Sequence, residues 1–202
     1  MSTTNTTLYF AYGSNLSPTQ MTDRCPSSPP LGLAHLPGYT FIISTRRYAN
    51  VVQNPTTSAP GSDDPGVYGV LYALDPDDEA VLDGYEGVPD AYTKEYMLVD
   101  VLEASLPEPA LGGNSAPKTA AGPVLRKTKS VNALVYIDRL RTEHSQPWPE
   151  YVFRMNRGVQ EAAAQFGLPA AYVEDVIRKW IPAPETPPVD AAAAAEEDPG
   201  LV

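Results

Sequence analysis

The stretch Tyr9-Phe10-Ala11-Tyr12-Gly13-Ser14-Asn15-Leu16 limits what this chain can fold into more than any other. A largely apolar run from Thr7 to Ala11 stops at Gly13-Ser14-Asn15. Ser17-Pro18 then places a capping hydroxyl before proline at a first helical position. The reading is a strand buried on both faces, a tight turn and a helical turn over Thr19 to Arg24. Glycine admits backbone angles closed to other residues, and asparagine tolerates the left-handed region. Such a corner aims several unpaired backbone N–H groups in one direction, which suits a carboxylate or phosphate. Tyr9 and Tyr12 would add walls and hydroxyls to that cradle. An ordinary strand-to-helix turn uses the same residue types, so the corner alone assigns no function.

Further along, Leu31 to Leu36 and Tyr39 to Ser44 read as strands joined tightly at Pro37-Gly38, with Val51-Val52 as a short third. Residues 54–66 are almost all turn-formers and read as a surface loop. Val67 to Leu74 is a strand. Asp75-Pro76 followed by Asp77, Asp78 and Glu79 then marks a helix start, and glycine stops that helix within Asp83-Gly84-Tyr85-Glu86-Gly87. Tyr92 to Glu103 and Ser130 to Ile137 read as strands flanking a Pro-, Gly- and Ala-rich mobile insertion at about 104–128. Two helices follow. Pro149 to Phe166 carries a stripe of Tyr151, Met155, Val159 and Ala162, and Pro169 to Trp180 carries Tyr172, Val176 and Trp180. The organisation expected is a flexible start at 1–6, one domain over 7–181, and a disordered acidic tail at 182–202.

Charge and cysteine usage exclude several functions. The chain carries 25 acids against 14 bases, a formal net charge of −11. Five acids (Glu185, Asp190, Glu196, Glu197, Asp198) lie after Ile181, leaving 20 acids against 14 bases in the body. Neither balance suits a nucleic-acid binder, which needs a basic patch. The single cysteine, Cys25, cannot form an internal disulfide and fits a reducing, cytoplasmic compartment. No stretch approaches the ~20 apolar residues of a membrane span. No metal is expected, because Cys25, His35 and His144 lie far apart and show no ligand spacing. Ser14 lacks the elbow motif of a serine hydrolase and has no histidine assigned beside it.

Glu86 is the acid that stands out. It ends a helix, where the dipole disfavours a negative charge, and Leu82, Tyr85 and Val88 flank it. Both influences raise a carboxyl pKa, as proton-transfer chemistry requires, although a solvated helix-end glutamate has the same sequence.

The pairing of Tyr9-Phe10-Ala11-Tyr12-Gly13-Ser14-Asn15-Leu16 with Leu82-Asp83-Gly84-Tyr85-Glu86-Gly87-Val88 resembles the γ-glutamylcyclotransferase family. So does the helix from Tyr151 to Gly158, leading to Phe166-Gly167-Leu168-Pro169. The resemblance spans about residues 7–181. It implies an α+β fold: a small mixed, mainly antiparallel β-barrel-like core with packed helices. It implies that Tyr9, Phe10, Ala11, Tyr12, Gly13, Ser14 and Asn15 hold the amino-acid end of a γ-glutamyl group. It further implies that Glu86 moves protons and that Tyr92 and Tyr151 line the site. The expected reaction releases 5-oxoproline without a cofactor, with a γ-glutamyl small molecule as the only partner and a homodimer as one possible assembly. Cyclotransfer from γ-glutamyl-amines or glutathione conjugates, and a non-catalytic carboxylate-binding module, are the alternatives. The interval from Glu86 to Tyr92 is shorter than in the animal enzymes, and the insertion and acidic tail have no counterpart in the family pattern.

Overall fold

The computed structural model describes residues 6–55, 66–105 and 124–184. Strands β1 (Thr7–Ala11), β2 (Pro30–Leu36), β5 (Val67–Leu74), β6 (Thr93–Ser105) and β7 (Val124–Ile137) close into a barrel in the order β1-β5-β2-β6-β7. The pairings are antiparallel except the one that closes it, where β1 meets β7 in parallel at Tyr9 and Leu134. Strands β3 (Tyr39–Ile43) and β4 (Ala49–Gln53) form a separate two-stranded sheet. Helices α1 (Pro18–Arg24), α2 (Pro76–Glu86), α3 (Pro149–Phe166) and α4 (Ala170–Asp175) pack around the barrel. The fold is therefore α+β and mainly antiparallel, as the family resemblance implies.

Local chemistry accounts for the elements. Val67 to Leu74 is apolar along nearly its whole length because β5 lies between two strands with its residues mostly buried. Phe10, Leu74, Leu134 and Met155 are fully buried in one continuous core, each contributing roughly 1.5–3 kcal/mol. At the start of α2 the Asp75 carboxylate accepts from the Asp77 amide, and three acids occupy the first turn. The helix passes through Gly84 and stops at Gly87, whose φ of 65° lies in the left-handed region. The Gly87 and Val88 amides then take the Gly84 and Asp83 carbonyls. In α3, Tyr151, Met155, Val159 and Ala162 all face the core, as their spacing requires.

Four expectations are corrected. Strands β2 and β3 do not pair with each other: at Pro37-Gly38 the chain leaves the barrel, and β3 pairs with β4 instead. The helix expected over Pro169 to Trp180 breaks at Val176 into a tighter turn, Ile177–Lys179. There Arg178 donates to Asn156 of α3 and to the Ile181 carbonyl, which draws the chain off the helical path. The strands around the insertion run further than the apolar pattern indicates, to Ser105 and from Val124. Cross-strand charge extends them, with Glu103 opposite Arg126 and Lys127 bonded to Asp100 at 2.7 Å. Finally, Val51-Val52 lies inside a five-residue strand. The remaining insertion (106–123), most of the 54–66 loop (56–65), residues 1–5 and the tail from 185 lie outside the described residues. Among the described residues no helix is long and apolar enough to cross a membrane.

Candidate active site

Strand β1 ends where the barrel opens, and residues 14–16 there form a single 3-10 turn. Gly13 sits at φ −98°, an angle other residues can adopt. What requires glycine is space: a Cβ at this position would lie 2.9 Å from the Tyr151 hydroxyl and 3.3 Å from the Ala49 side chain. The Leu16 and Ser17 amides are used within the turn, and that of Ser14 faces the Tyr151 hydroxyl. Beside these amides, the Ser14 and Asn15 side chains add polar surface at the cavity.

Asn15 organises them. Its Nδ2 donates to Tyr9 Oη and to Glu86 Oε1, both at 3.0 Å. Its Oδ1 accepts from Gln20 Nε2 at 2.7 Å and from Arg24 Nη1 at 3.1 Å. A guanidinium has no acceptor, so Arg24 forces the Asn15 oxygen towards itself and thereby turns the amide nitrogen to Glu86. Tyr72 Oη holds the Asn15 carbonyl at 2.9 Å, which fixes the backbone beneath. Every hydrogen-bonding position of this amide is filled.

Glu86 is the last residue of α2, and its carboxylate projects into the cavity. Part of its surface faces that cavity, but the surrounding walls strip it of water. Burial is the largest influence and pushes the pKa up to about 7. Arg24, the Asn15 amide, Arg154 and Arg46 pull the other way. The helix end acts in the same direction as burial. A carboxyl poised there exchanges its proton readily at neutral pH.

Tyrosines form the walls. Tyr12 Oη donates to the Tyr136 carbonyl and Tyr92 Oη to the Ala49 carbonyl, both at 2.7 Å, while Tyr151 Oη accepts from the Ala49 amide at 3.2 Å. Burial holds the Tyr9, Tyr12 and Tyr92 hydroxyls well above the ordinary phenol range, so they stay protonated. Three guanidiniums complete the lining. Arg154 binds Glu150 at 2.8 and 3.1 Å and donates to Ser14 Oγ at 3.1 Å. Ser14 Oγ also accepts from Gln20 Nε2 at 2.9 Å, leaving its own proton to be donated. Arg46 lies 5.3 Å from the Tyr92 ring centre, and its Nη1 is shielded from water with no partner among the described residues. An orphaned donor of this kind costs about 1–3 kcal/mol.

The cavity so enclosed holds about 280 Å³, just below the ~300–1,000 Å³ usual for drug-sized ligands, and suits a small polar metabolite. Of the residues singled out in sequence, Tyr9, Tyr12, Gly13, Ser14, Asn15, Glu86, Tyr92 and Tyr151 all line it. Phe10 and Ala11 do not. Strand alternation turns Phe10 away from Tyr9 and onto β5, where a Cβ on Gly69 would lie 2.6 Å from its ring. Ala11 is buried in the core.

Sequence reasoning missed Arg24, Arg46, Arg154, Tyr48, Tyr85 and Tyr136. A signal existed for Arg154, which is three residues after Tyr151 on one helix face. Arg46 had none. It rides a five-residue hairpin loop, 44–48, that contains neither Gly nor Asn, and Arg47 takes the left-handed region at φ 70°.

Residues 9–148 match the model of the family described as gamma-glutamyl cyclotransferase, AIG2-like. No curated protein matches the chain. Among solved structures the fold is similar to that of a gamma-glutamyl cyclotransferase, at 22% identity over 91% of this chain and 92% of that one, with TM-score 0.62. An uncharacterised human protein, loc79017, is 21% identical over 95% of this chain and 99% of that one, with TM-score 0.60. YkqA from Bacillus subtilis is 19% identical, with TM-score 0.57; the match covers 90% of this chain and 56% of YkqA. Since the family match takes in β1 through β7 and both halves of the Asn15–Glu86 contact, the chain belongs to the gamma-glutamyl cyclotransferase, AIG2-like family.

Proposed function

We propose that the chain is a γ-glutamylcyclotransferase that releases 5-oxoproline by attack of a γ-glutamyl compound's α-amine on its own γ-carbonyl. The observation that carries this reading is the Glu86 carboxyl, poised at about 7 and aimed by Asn15 into a small cavity of tyrosines and arginines. The substrate's α-ammonium is unreactive until it loses a proton. Glu86 takes that proton, and the freed amine attacks the γ-carbonyl to give a five-membered tetrahedral intermediate. The bond from that carbon to the amide nitrogen then breaks, as Glu86 returns the proton to the departing nitrogen. The second proton of the ring nitrogen passes to the departing amine, which leaves as an ammonium. Protons and electrons balance with no external reagent.

At the substrate's head, the Ser14 hydroxyl has its proton free for the α-carboxylate, and Arg154 beside it supplies positive charge. The neutral tyrosine hydroxyls add polar walls without competing for the proton. Folding the substrate so that amine and carbonyl meet can supply ~7–11 kcal/mol in well-oriented systems. One positioned acid–base group typically adds ~10²–10⁴-fold.

The test is incubation of the purified protein with γ-glutamyl amino acids, γ-glutamyl-amines and glutathione conjugates, followed by measurement of 5-oxoproline. Release from at least one class, lost in Glu86→Gln, supports the reading. No release from any of them overturns it and favours a carboxylate-binding module.

A further inference from the structure

The segment Ser17-Pro18-Thr19-Gln20 has the residue types of a capping box, in which the third helical residue folds its side chain back onto the backbone amide of the capping serine. Half of that box forms: the Ser17 hydroxyl oxygen accepts from the Gln20 amide at 3.1 Å. The other half does not. The Ser17 amide donates to the Ser14 carbonyl at 3.2 Å, and Gln20 Oε1 is buried with no partner among the described residues. The side chain instead reaches past the helix start. Its Nε2 donates to Ser14 Oγ at 2.9 Å and to Asn15 Oδ1 at 2.7 Å, which uses both of its protons. Gln20 does not line the cavity and is only 4% exposed, yet it holds two side chains that do.

Donor-only groups fix the direction of this network. Arg24 donates to Asn15 Oδ1 and Arg154 to Ser14 Oγ, and neither guanidinium can accept. Both oxygens are therefore acceptors, and the group that bridges them has to be the NH2 of Gln20. With that side filled, the Ser14 proton and the Asn15 NH2 turn outwards, the first to the cavity and the second to Tyr9 and Glu86. A helix start built for stability alone would close the capping box and leave no buried oxygen unpaired.

We propose that Gln20 is a positioning residue for this site: one buried amide sets both the donor that meets the α-carboxylate and the donor that aims Glu86. It acts on binding through Ser14 and on proton transfer through Asn15. This rests on the cyclotransferase reading of the same cavity.

Gln20→Met keeps length and burial and removes both donated bonds. Being neutral, it leaves in place the groups that face Glu86: Arg24 from α1, Arg154 from α3, Arg46 from the β3–β4 loop, and the protonated tyrosines. With the best substrate of the panel above, KM should rise and kcat should fall, each by about three- to tenfold. In a Ser14→Ala background the change in KM should vanish while the fall in kcat remains. Carbon-13 NMR should place the Glu86 midpoint of Gln20→Met roughly 0.5 pH unit above that of wild type. A purely structural role would shift KM by the same factor in both backgrounds and leave the Glu86 midpoint alone; either result overturns the assignment. Gln20→Asn keeps the amide but falls a methylene short of bridging both oxygens, and it gives the same comparison should Gln20→Met not fold. If no compound of the panel yields 5-oxoproline, the cyclotransferase reading falls, while the Glu86 midpoint still decides for or against Gln20.

Discussion

The two ends of α2 each carry buried or half-buried acids, yet their surroundings are opposite. At the N-terminal end, Asp78 accepts from the Ser27 amide at 2.8 Å and the Ser28 hydroxyl at 2.7 Å, and the helix dipole favours its charge. At the C-terminal end, Glu86 has one neutral amide as its hydrogen-bond partner among the described residues and faces an unfavourable dipole. Even Asp83, within one turn of it, is better satisfied, bonding Lys94 and the Tyr136 hydroxyl. The same helix therefore places Asp78 where its charge stabilises the fold and Glu86 where it does not. The second placement is the one expected of a group whose proton must move.

The largest effect should come from exchanging the roles of these ends. Glu86→Gln keeps shape and removes basicity, so turnover should fall by ~10²–10⁴-fold with an unchanged circular dichroism spectrum. Near-normal turnover would mean that Glu86 is not the proton carrier. Asp78→Ala should do the reverse. It strands the Ser27 and Ser28 donors, so urea unfolding should report a loss of about 1–3 kcal/mol, while kcat changes little.

The same contrast appears in the pH dependence of stability. Burial lifts the Glu86 carboxyl from 4.5 to about 7, so between those values the folded state keeps a proton that the unfolded chain has lost. The contribution is thus most favourable below about pH 4.5 and is lost as pH rises through 7, by on the order of 3 kcal/mol. Glu86→Gln removes this dependence. Melting curves across that range should show the variant gaining on wild type as pH rises. Parallel curves would show that Glu86 costs the fold nothing.

A smaller effect concerns the turn opposite Glu86. Gly13→Ala drives a methyl to 2.9 Å from the Tyr151 hydroxyl and should weaken substrate binding to Glu86→Gln protein by about tenfold. Ser14→Ala removes one donated bond and should cost less, about three- to tenfold. Calorimetry on both variants would rank them, and a Ser14→Ala protein that binds as tightly as its parent would contradict the serine's role at the α-carboxylate.

Legibility in the sequence followed periodicity and capping chemistry. The bounds of β1, β5 and α3, the Ser17 cap and the glycine stop at Gly87 were all readable, because each depends on neighbours in sequence. Glu86 was readable as well, since its helix-end position is a local fact. What could not be read depends on distant pairing. The β6–β7 ribbon beyond Val101 has charged residues on both strands and no apolar alternation to announce it. Arg46 is brought to Tyr92 by a hairpin without turn residues, and Arg24 is brought to Asn15 by the packing of the turn against α1. Phe10 and Ala11 were placed in the site because they lie within the motif, although strand alternation turns Phe10 elsewhere. Arg154 falls beyond the residues matched to the family and only the fold brings it over the turn, whereas Tyr151 on the same helix was already placed at the site by the resemblance.

The central claim is that this cavity holds a carboxyl with its proton poised near neutrality. Carbon-13 NMR titration of the glutamate side chains, with Glu86→Gln protein identifying the missing signal, measures it directly. The account predicts a midpoint of about 7 for Glu86, whereas a midpoint near 4.5 would contradict it.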